Sequence, residues 1–145
     1  MKKVLILGIS SFSGATLASF LEKRDYKIFG AFSKKKNISY LPFNKKKTKI
    51  FKINLLNDKN KLLNLIKKIR PEIIIDHASI CMVGESWINP KKYFRINVNS
   101  KIELIKGLKD LKCLKKYIYI STPEIFGSNS KIINEFSSNY NPSTP

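Results

Sequence analysis

Acidic residues are scarce in this chain: 10 Asp and Glu stand against 28 Lys and Arg, a formal net charge of +18 over 145 residues. Such a balance ordinarily points to nucleic acid or to an acidic surface. The stacking aromatics interleaved with Arg that mark a single-strand platform are missing, however. The basic residues are nearly all Lys, scattered along helix faces and loops, with runs only at 34–36 and 45–47. They read as the solvated charge of an A/T-rich coding sequence, and a nucleic-acid surface is disfavoured. A positive field that attracts a doubly phosphorylated ligand stands beside that reading. Cysteine is limited to Cys81 and Cys113, at no metal or disulfide spacing, which fits a reducing cytoplasm. The lone His77 has no partners for metal ligation. No run reaches the ~18 apolar residues of a membrane span. Val4–Leu7 behind Met1-Lys2-Lys3 is too short for a signal-peptide core and reads as a first strand.

What is present is a 43% hydrophobic chain of one-domain length, able to bury a core. Its most informative segment is Gly8-Ile9-Ser10-Ser11-Phe12-Ser13-Gly14, between the apolar run ending at Leu7 and the helical pattern from Ala15 to Leu21. Strand, tight glycine turn and helix in that order put a helix N-terminus, with its unpaired N–H groups, beneath a pyrophosphate. Gly8 permits the turn and Gly14 the close approach of helix to strand, while the middle glycine of such turns is Ser11 here. A plain strand–helix turn is the alternative. Further along, strands and helices alternate: strand 3–8, helix 14–24, strand 27–32, strand 49–53, helix 58–69, strand 72–77, a loop, helix 90–111 and strand 116–121. That order predicts an α/β parallel sheet wrapped by helices on both faces. Asn57 is expected to cap the second helix, and Asn89-Pro90 the third. Phe94, Val98, Ile102, Ile105 and Leu108 give the third an apolar face. From Ser128 to Pro145 the chain is a polar tail of turn formers, so the domain is read as 1–127 with a tail at 128–145.

Five segments in order carry a resemblance. They are the glycine turn at 8–14, Asn54-Leu55 at a strand end, Asp76-His77-Ala78-Ser79 after a strand, Asn97-Val98-Asn99 in a helix, and Ser121-Thr122-Pro123-Glu124-Ile125-Phe126-Gly127. Over its whole length the chain resembles the N-terminal half of the extended short-chain dehydrogenase/reductases, the NAD-dependent epimerase/dehydratase family acting on nucleotide sugars. The resemblance implies a Rossmann-type doubly wound sheet that stops before its last strands and lacks the substrate domain. It implies cofactor contacts from Gly8, Ser10, Ser11, Phe12, Ser13, Gly14, Asn54, Leu55, His77, Ala78 and Ser79, and a homodimer for the full-length family. Asn54 stands where the family usually has an Asp that accepts from the adenine amino group; an amide oxygen also accepts. His77-Ala78-Ser79 matches a run that packs on the nicotinamide-side ribose.

An acidic residue after the second strand selects NAD, and a basic one accommodates the 2′-phosphate of NADP. Here Phe32 runs into Ser33 and Lys34 with no Asp or Glu in reach, which favours NADP over NAD; an ordinary basic loop is the other reading. The resemblance places the catalytic hydroxyl at Thr122, groups Asn97 with it, and puts a C5 base of the dehydratases at Glu124. The preceding general acid of those enzymes is Pro123, which has no proton to give. The family's Tyr-x-x-x-Lys has no counterpart, since none of the six tyrosines is followed by Lys four residues on. The chain is therefore expected to be the cofactor half of a nucleotide-sugar epimerase, dehydratase or reductase, cytoplasmic and inactive alone. The contrasting expectation is a non-catalytic nucleotide- or nucleic-acid-binding module on the same fold.

Overall fold

Leu5 and Leu7 point to one side of the first strand and Val4 and Ile6 to the other, and all four side chains are buried. A strand covered on both faces belongs in the middle of a parallel sheet. The structure, a computed structural model, describes residues 1–33, 42–44, 46–128 and 132–145. In it β1 (Lys2–Leu7) is central, paired in parallel with β2 (Tyr26–Phe32) on one side and β4 (Ile73–Asp76) on the other. β3 (Lys49–Lys52) and β5 (Lys116–Tyr119) complete the five-stranded order β3-β2-β1-β4-β5. The chain winds outward from β1 to β3 and then crosses back to β4. The C-terminal ends of β1 and β4 thus flank the point where the winding reverses, the usual ligand crevice of such sheets.

Helices cover both faces, as the alternation of elements predicts. α1 (Phe12–Glu22) lays Ala15, Ala18 and Leu21 against Val4, Ile6 and Ile28. On the opposite face α2 (Lys59–Ile69) and α5 (Ser100–Leu108) bury Leu62, Ile66, Leu104 and Leu108 against Leu5, Leu7 and Ile74. Three details depart from the sequence reading. Asp58, not Asn57, holds the cap position before α2, and its carboxylate accepts from Asn54 N–H at 2.8 Å, which ties the β3–α2 loop and makes no bond to the helix start. The segment read as loop before residue 90 contains a short helix, α3 (Val83–Ile88). The single helix expected over 90–111 is α4 (Pro90–Phe94), a π-helical turn over 95–99, and α5, ending at Leu108. Asn89 does cap α4, accepting from Lys92 N–H.

Burial shows which face of this helix meets the sheet. The inward stripe is Tyr93, Asn97, Lys101, Leu104 and Leu108, two of them strongly polar, and Leu108 lies here instead of on the apolar face assigned to it. Phe94, Val98, Ile102 and Ile105 form a second stripe that stays open. Neighbouring positions should therefore respond oppositely to truncation. Leu104→Ala removes core packing and is expected to cost about 2–5 kcal/mol. Ile105→Ala, one residue on, should cost about 0.5 kcal/mol or less. Urea midpoints at low protein concentration check this, and equal losses at the two positions would contradict the assignment of faces.

Candidate functional site

The turn after β1 is built for close approach. Gly8 adopts φ +74°, which a side chain resists, and its N–H donates to Ala31 O at 2.9 Å. A Cβ at position 8 would lie 2.8 Å from the His77 carbonyl carbon, so the strand-β4 exit runs hard against this turn. One at Gly14 would lie 2.6 Å from Gly8 O, which brings the first turn of α1 down onto the same loop. Ser11 caps α1, its Oγ accepting from Gly14 N–H at 3.1 Å. The hydroxyl at the position of the expected middle glycine is thereby folded onto the helix. Phe12 and Ser13 stand exposed at the helix start, and Ser10 is half-buried.

His77 bridges the two sides of the crevice. Its N–H donates to Leu7 O at 2.9 Å, and its Nδ1 lies 2.9 Å from Ser13 Oγ at the start of α1. Its Nε2 is buried and has no protein partner among the described residues. Burial pushes the ring below the ordinary histidine range, and the neighbouring Asp76 charge opposes this in part. A neutral ring follows at neutral pH, able to hold one polar atom of a ligand at Nε2. An orphaned ring nitrogen beside a glycine cradle under a helix N-terminus fits a phosphoribosyl ligand.

Beyond His77 the chain enters a second cleft of about 170 Å³, where Ser79, Asn97, Tyr119, Thr122 and Glu124 meet, with Pro145 at its rim. Thr122 precedes a 3₁₀ turn over Pro123–Phe126, and its Oγ1 accepts from Glu124 N–H at 3.3 Å. That bond leaves the hydroxyl proton to donate into the cleft. Both ends of the Asn97 amide are taken by one residue: Oδ1 accepts from Ile80 N–H at 3.0 Å and Nδ2 donates to Ile80 O at 2.8 Å. Ser79 Oγ and Tyr119 OH are 3.0 Å apart. The tail returns to this cleft, with Asn141 N–H donating to Ile125 O at 2.9 Å.

Asn54 and Leu55 lie apart from these groups. Asn54 Oδ1 accepts from Leu56 N–H at 3.0 Å, which leaves one lone pair, and Leu55 lines a separate cavity of about 190 Å³ between α2 and α5. Ser33 is exposed at the end of β2, and Lys34 lies outside the described residues. Among the described residues no group of three or more His, Cys, Asp or Glu could hold a metal, and no helix is long and apolar enough to cross a membrane. Sequence reasoning gave Asp76 no role of its own and missed Lys101, Tyr117 and Tyr119. The signal for the first was an aspartate closing the apolar run Ile73-Ile74-Ile75; for Lys101 it was a lysine on the stripe of Tyr93 and Leu104.

Because the folded ring is pushed down, the unfolded chain holds the His77 proton more readily. His77 thus has no effect on stability above the ordinary value of about 6.5 and lowers it as pH falls towards the folded pKa. With one histidine in the chain, its ring resonances should titrate below that value, and His77→Gln should lose less stability than the wild type on acidification from pH 7 to 5. A ring titrating above 6.5 would contradict the burial described.

Residues 5–145 match the family described as GDP-mannose 4,6 dehydratase. The chain is 32% identical over 136 residues to a UDP-glucose 4-epimerase of Mycoplasma genitalium, covering 92% of this chain and 40% of that protein. It is 30% identical over 162 residues to a dTDP-D-glucose 4,6-dehydratase of Dictyostelium discoideum, covering 100% of this chain and 37% of that one. The chain therefore spans about two fifths of the length of these curated relatives. Among solved structures, UDP-glucose 4-epimerase from Brucella ovis in complex with NAD superposes with a TM-score of 0.85 at 22% identity, over 99% of this chain and 43% of that one. The Bifidobacterium longum enzyme in complex with NAD+ and UDP gives 0.78 at 19%, over 99% and 42%. A parallel sheet with a glycine turn at its switch point, matched along nearly its whole length by these sequences, places the chain in the nucleotide-sugar epimerase/dehydratase family of extended short-chain dehydrogenase/reductases.

Proposed function

We propose that this chain holds a nicotinamide dinucleotide across the C-terminal ends of β1 and β4 and forms the cofactor half of a nucleotide-sugar epimerase or dehydratase. The observation that carries this reading is a continuity of backbone. Residues 77–80 run from the Gly8 crevice directly into the cleft that Thr122 and Glu124 line. In this reading Gly8, Ser10, Ser11, Phe12, Ser13 and Gly14 cradle the pyrophosphate, and His77, Ala78 and Ser79 border the ribose on the nicotinamide side. Asn54 and Leu55 border the adenine, and Ser33 meets the adenosine ribose. The bound dinucleotide supplies a hydride acceptor at its nicotinamide. The Thr122 hydroxyl hydrogen-bonds the sugar oxygen next to the carbon that gives up hydride, since it both donates and accepts as charge shifts. Asn97 holds Ile80 in the wall of that cleft, and Glu124 faces the sugar as a base. Pro123 beside it offers no proton, which favours epimerisation or reduction over dehydration.

The Brucella ovis and Bifidobacterium longum epimerases are both complexes with the nicotinamide dinucleotide that lacks the 2′-phosphate. In this chain Ser33 replaces the acidic residue that an NAD site uses, so NADP is expected to bind at least as well as NAD. Fluorescence or calorimetric titration with both dinucleotides decides it, and a clear NAD preference would overturn this part of the reading. The open stripe of Phe94, Val98, Ile102 and Ile105 is proposed as the self-association face of a homodimer, because an exposed apolar patch of that kind invites a partner.

Residues 1–145 carry no Tyr-x-x-x-Lys pair, and a positioned base contributes about 10²–10⁴-fold. No turnover of a nucleotide sugar is therefore expected from these residues alone. Added together with the C-terminal half of a relative that begins at its Tyr-x-x-x-Lys, they should turn over, and Thr122→Ala should remove that activity. Turnover by residues 1–145 alone, or full activity of the Thr122→Ala complex, would overturn the assignment.

A further inference from the structure

Behind the crevice lies a cluster that the proposed reaction does not use. Asp76 is 0% exposed and Lys101 6% exposed, an ion pair buried between the sheet and α5. Burial of two charges is tolerated only when their hydrogen-bonding capacity is filled, and here it is. The Lys101 ammonium spends its three protons on Asp76 Oδ1 at 2.9 Å, Asp76 Oδ2 at 2.8 Å and Ala78 O at 2.7 Å. The carboxylate also accepts from Ala78 N–H at 2.9 Å and from Tyr117 OH at 2.7 Å. Burial, and then the Asp76 charge, raises the Tyr117 hydroxyl well above the ordinary phenol range, so it remains a donor.

Apolar side chains of similar volume would fill this space at least as stably, which directs attention to where the polar bonds lead. Apart from Tyr117, they lead to Ala78, at both its N–H and its carbonyl. Two residues on, Asn97 holds the N–H and carbonyl of Ile80 in the same way. Asn97 and Lys101 are four positions apart on the inward stripe, one inside the π turn and one just after it, a kind of helix irregularity that often marks a functional site. One helix thus grips the backbone at 78 and again at 80. That short segment is the wall between the Gly8 crevice and the Thr122 cleft.

We propose that Lys101 is a positioning residue: anchored by Asp76 and Tyr117, it fixes the Ala78 carbonyl and, with Asn97, preforms the wall at 78–80 against which the dinucleotide lies. The inference rests on the cofactor reading given above. Asp76→Leu combined with Lys101→Met and Tyr117→Phe removes the network while leaving no buried charge unpaired. Two measurements on the full chain are made: amide hydrogen exchange without ligand, and titration with NAD and NADP. The Ser79 and Ile80 amides bond to His77 O and Asn97 Oδ1, groups the variant retains. They should nevertheless exchange at least tenfold faster, while the thermal midpoint stays at or above that of the wild type. Dinucleotide affinity should fall about tenfold, the size expected for one charge-assisted hydrogen bond. Unchanged exchange at 79 and 80, or faster exchange with unchanged affinity, would overturn the proposal. A wild-type chain that takes up neither dinucleotide would overturn the cofactor reading instead, and exchange would still report whether Lys101 holds the segment. Should the triple variant not fold, Lys101→Arg serves: it keeps the charge, but its planar fork cannot match three acceptors placed for an ammonium.

Discussion

The contact between Gly8 and the backbone at His77 and Ala78 is the constraint from which the site follows. Parallel pairing of β1 with β4 brings Leu7 opposite Asp76, so the two strand exits must diverge from adjacent points. A residue with a side chain at position 8 would strike the β4 exit, and its φ of +74° would be strained as well. With glycine there, the turn stays tight and α1 starts directly above the crevice. Ser11 and Gly14 then fix the helix start, and His77 ties it back to β4 through Ser13. Every group proposed to meet the phosphates depends on this junction.

A second consequence of the fold concerns the helix that runs from Pro90 to Leu108. Hydrophobic patterning orients a helix when water lies on one side and a core on the other. Here the apolar stripe faces away from the sheet, and the inward stripe carries an amide and a buried ammonium. Those two polar groups reach the backbone at 78–80, Asn97 directly and Lys101 while paired with the buried Asp76. The arrangement gives the proposed site a wall held by directional bonds, and it leaves Phe94, Val98, Ile102 and Ile105 exposed.

The parallel sheet was legible in the sequence because buried strands read as short apolar runs and helices as 3.6-residue patterns. The run Val4–Leu7, the turn at Gly8–Gly14 and the cap at Asn89 all lie where the residues point. Helix α3 escaped because Val83–Ile88 is too short to show a period. Asn57 read as the cap because Asn and Asp have similar capping preferences; Asp58 stands at that position instead, with its carboxylate on Asn54 N–H. Lys101 was hidden for a different reason: charged side chains are ordinarily solvated, and only the arrival of Asp76 from a strand 25 residues away makes its burial favourable. Its place on the stripe of Tyr93 and Leu104 was legible, but the partner that makes its burial favourable was not.

The central claim is that one dinucleotide lies along the junction of β1 and β4. The most direct measurement is the map of backbone amide chemical-shift changes on adding NADP or NAD to the full chain. The account predicts that the largest changes fall on residues 8–15 and 77–80. Changes concentrated on the cavity between α2 and α5, or spread over the surface lysines without a focus at Gly8, would contradict it.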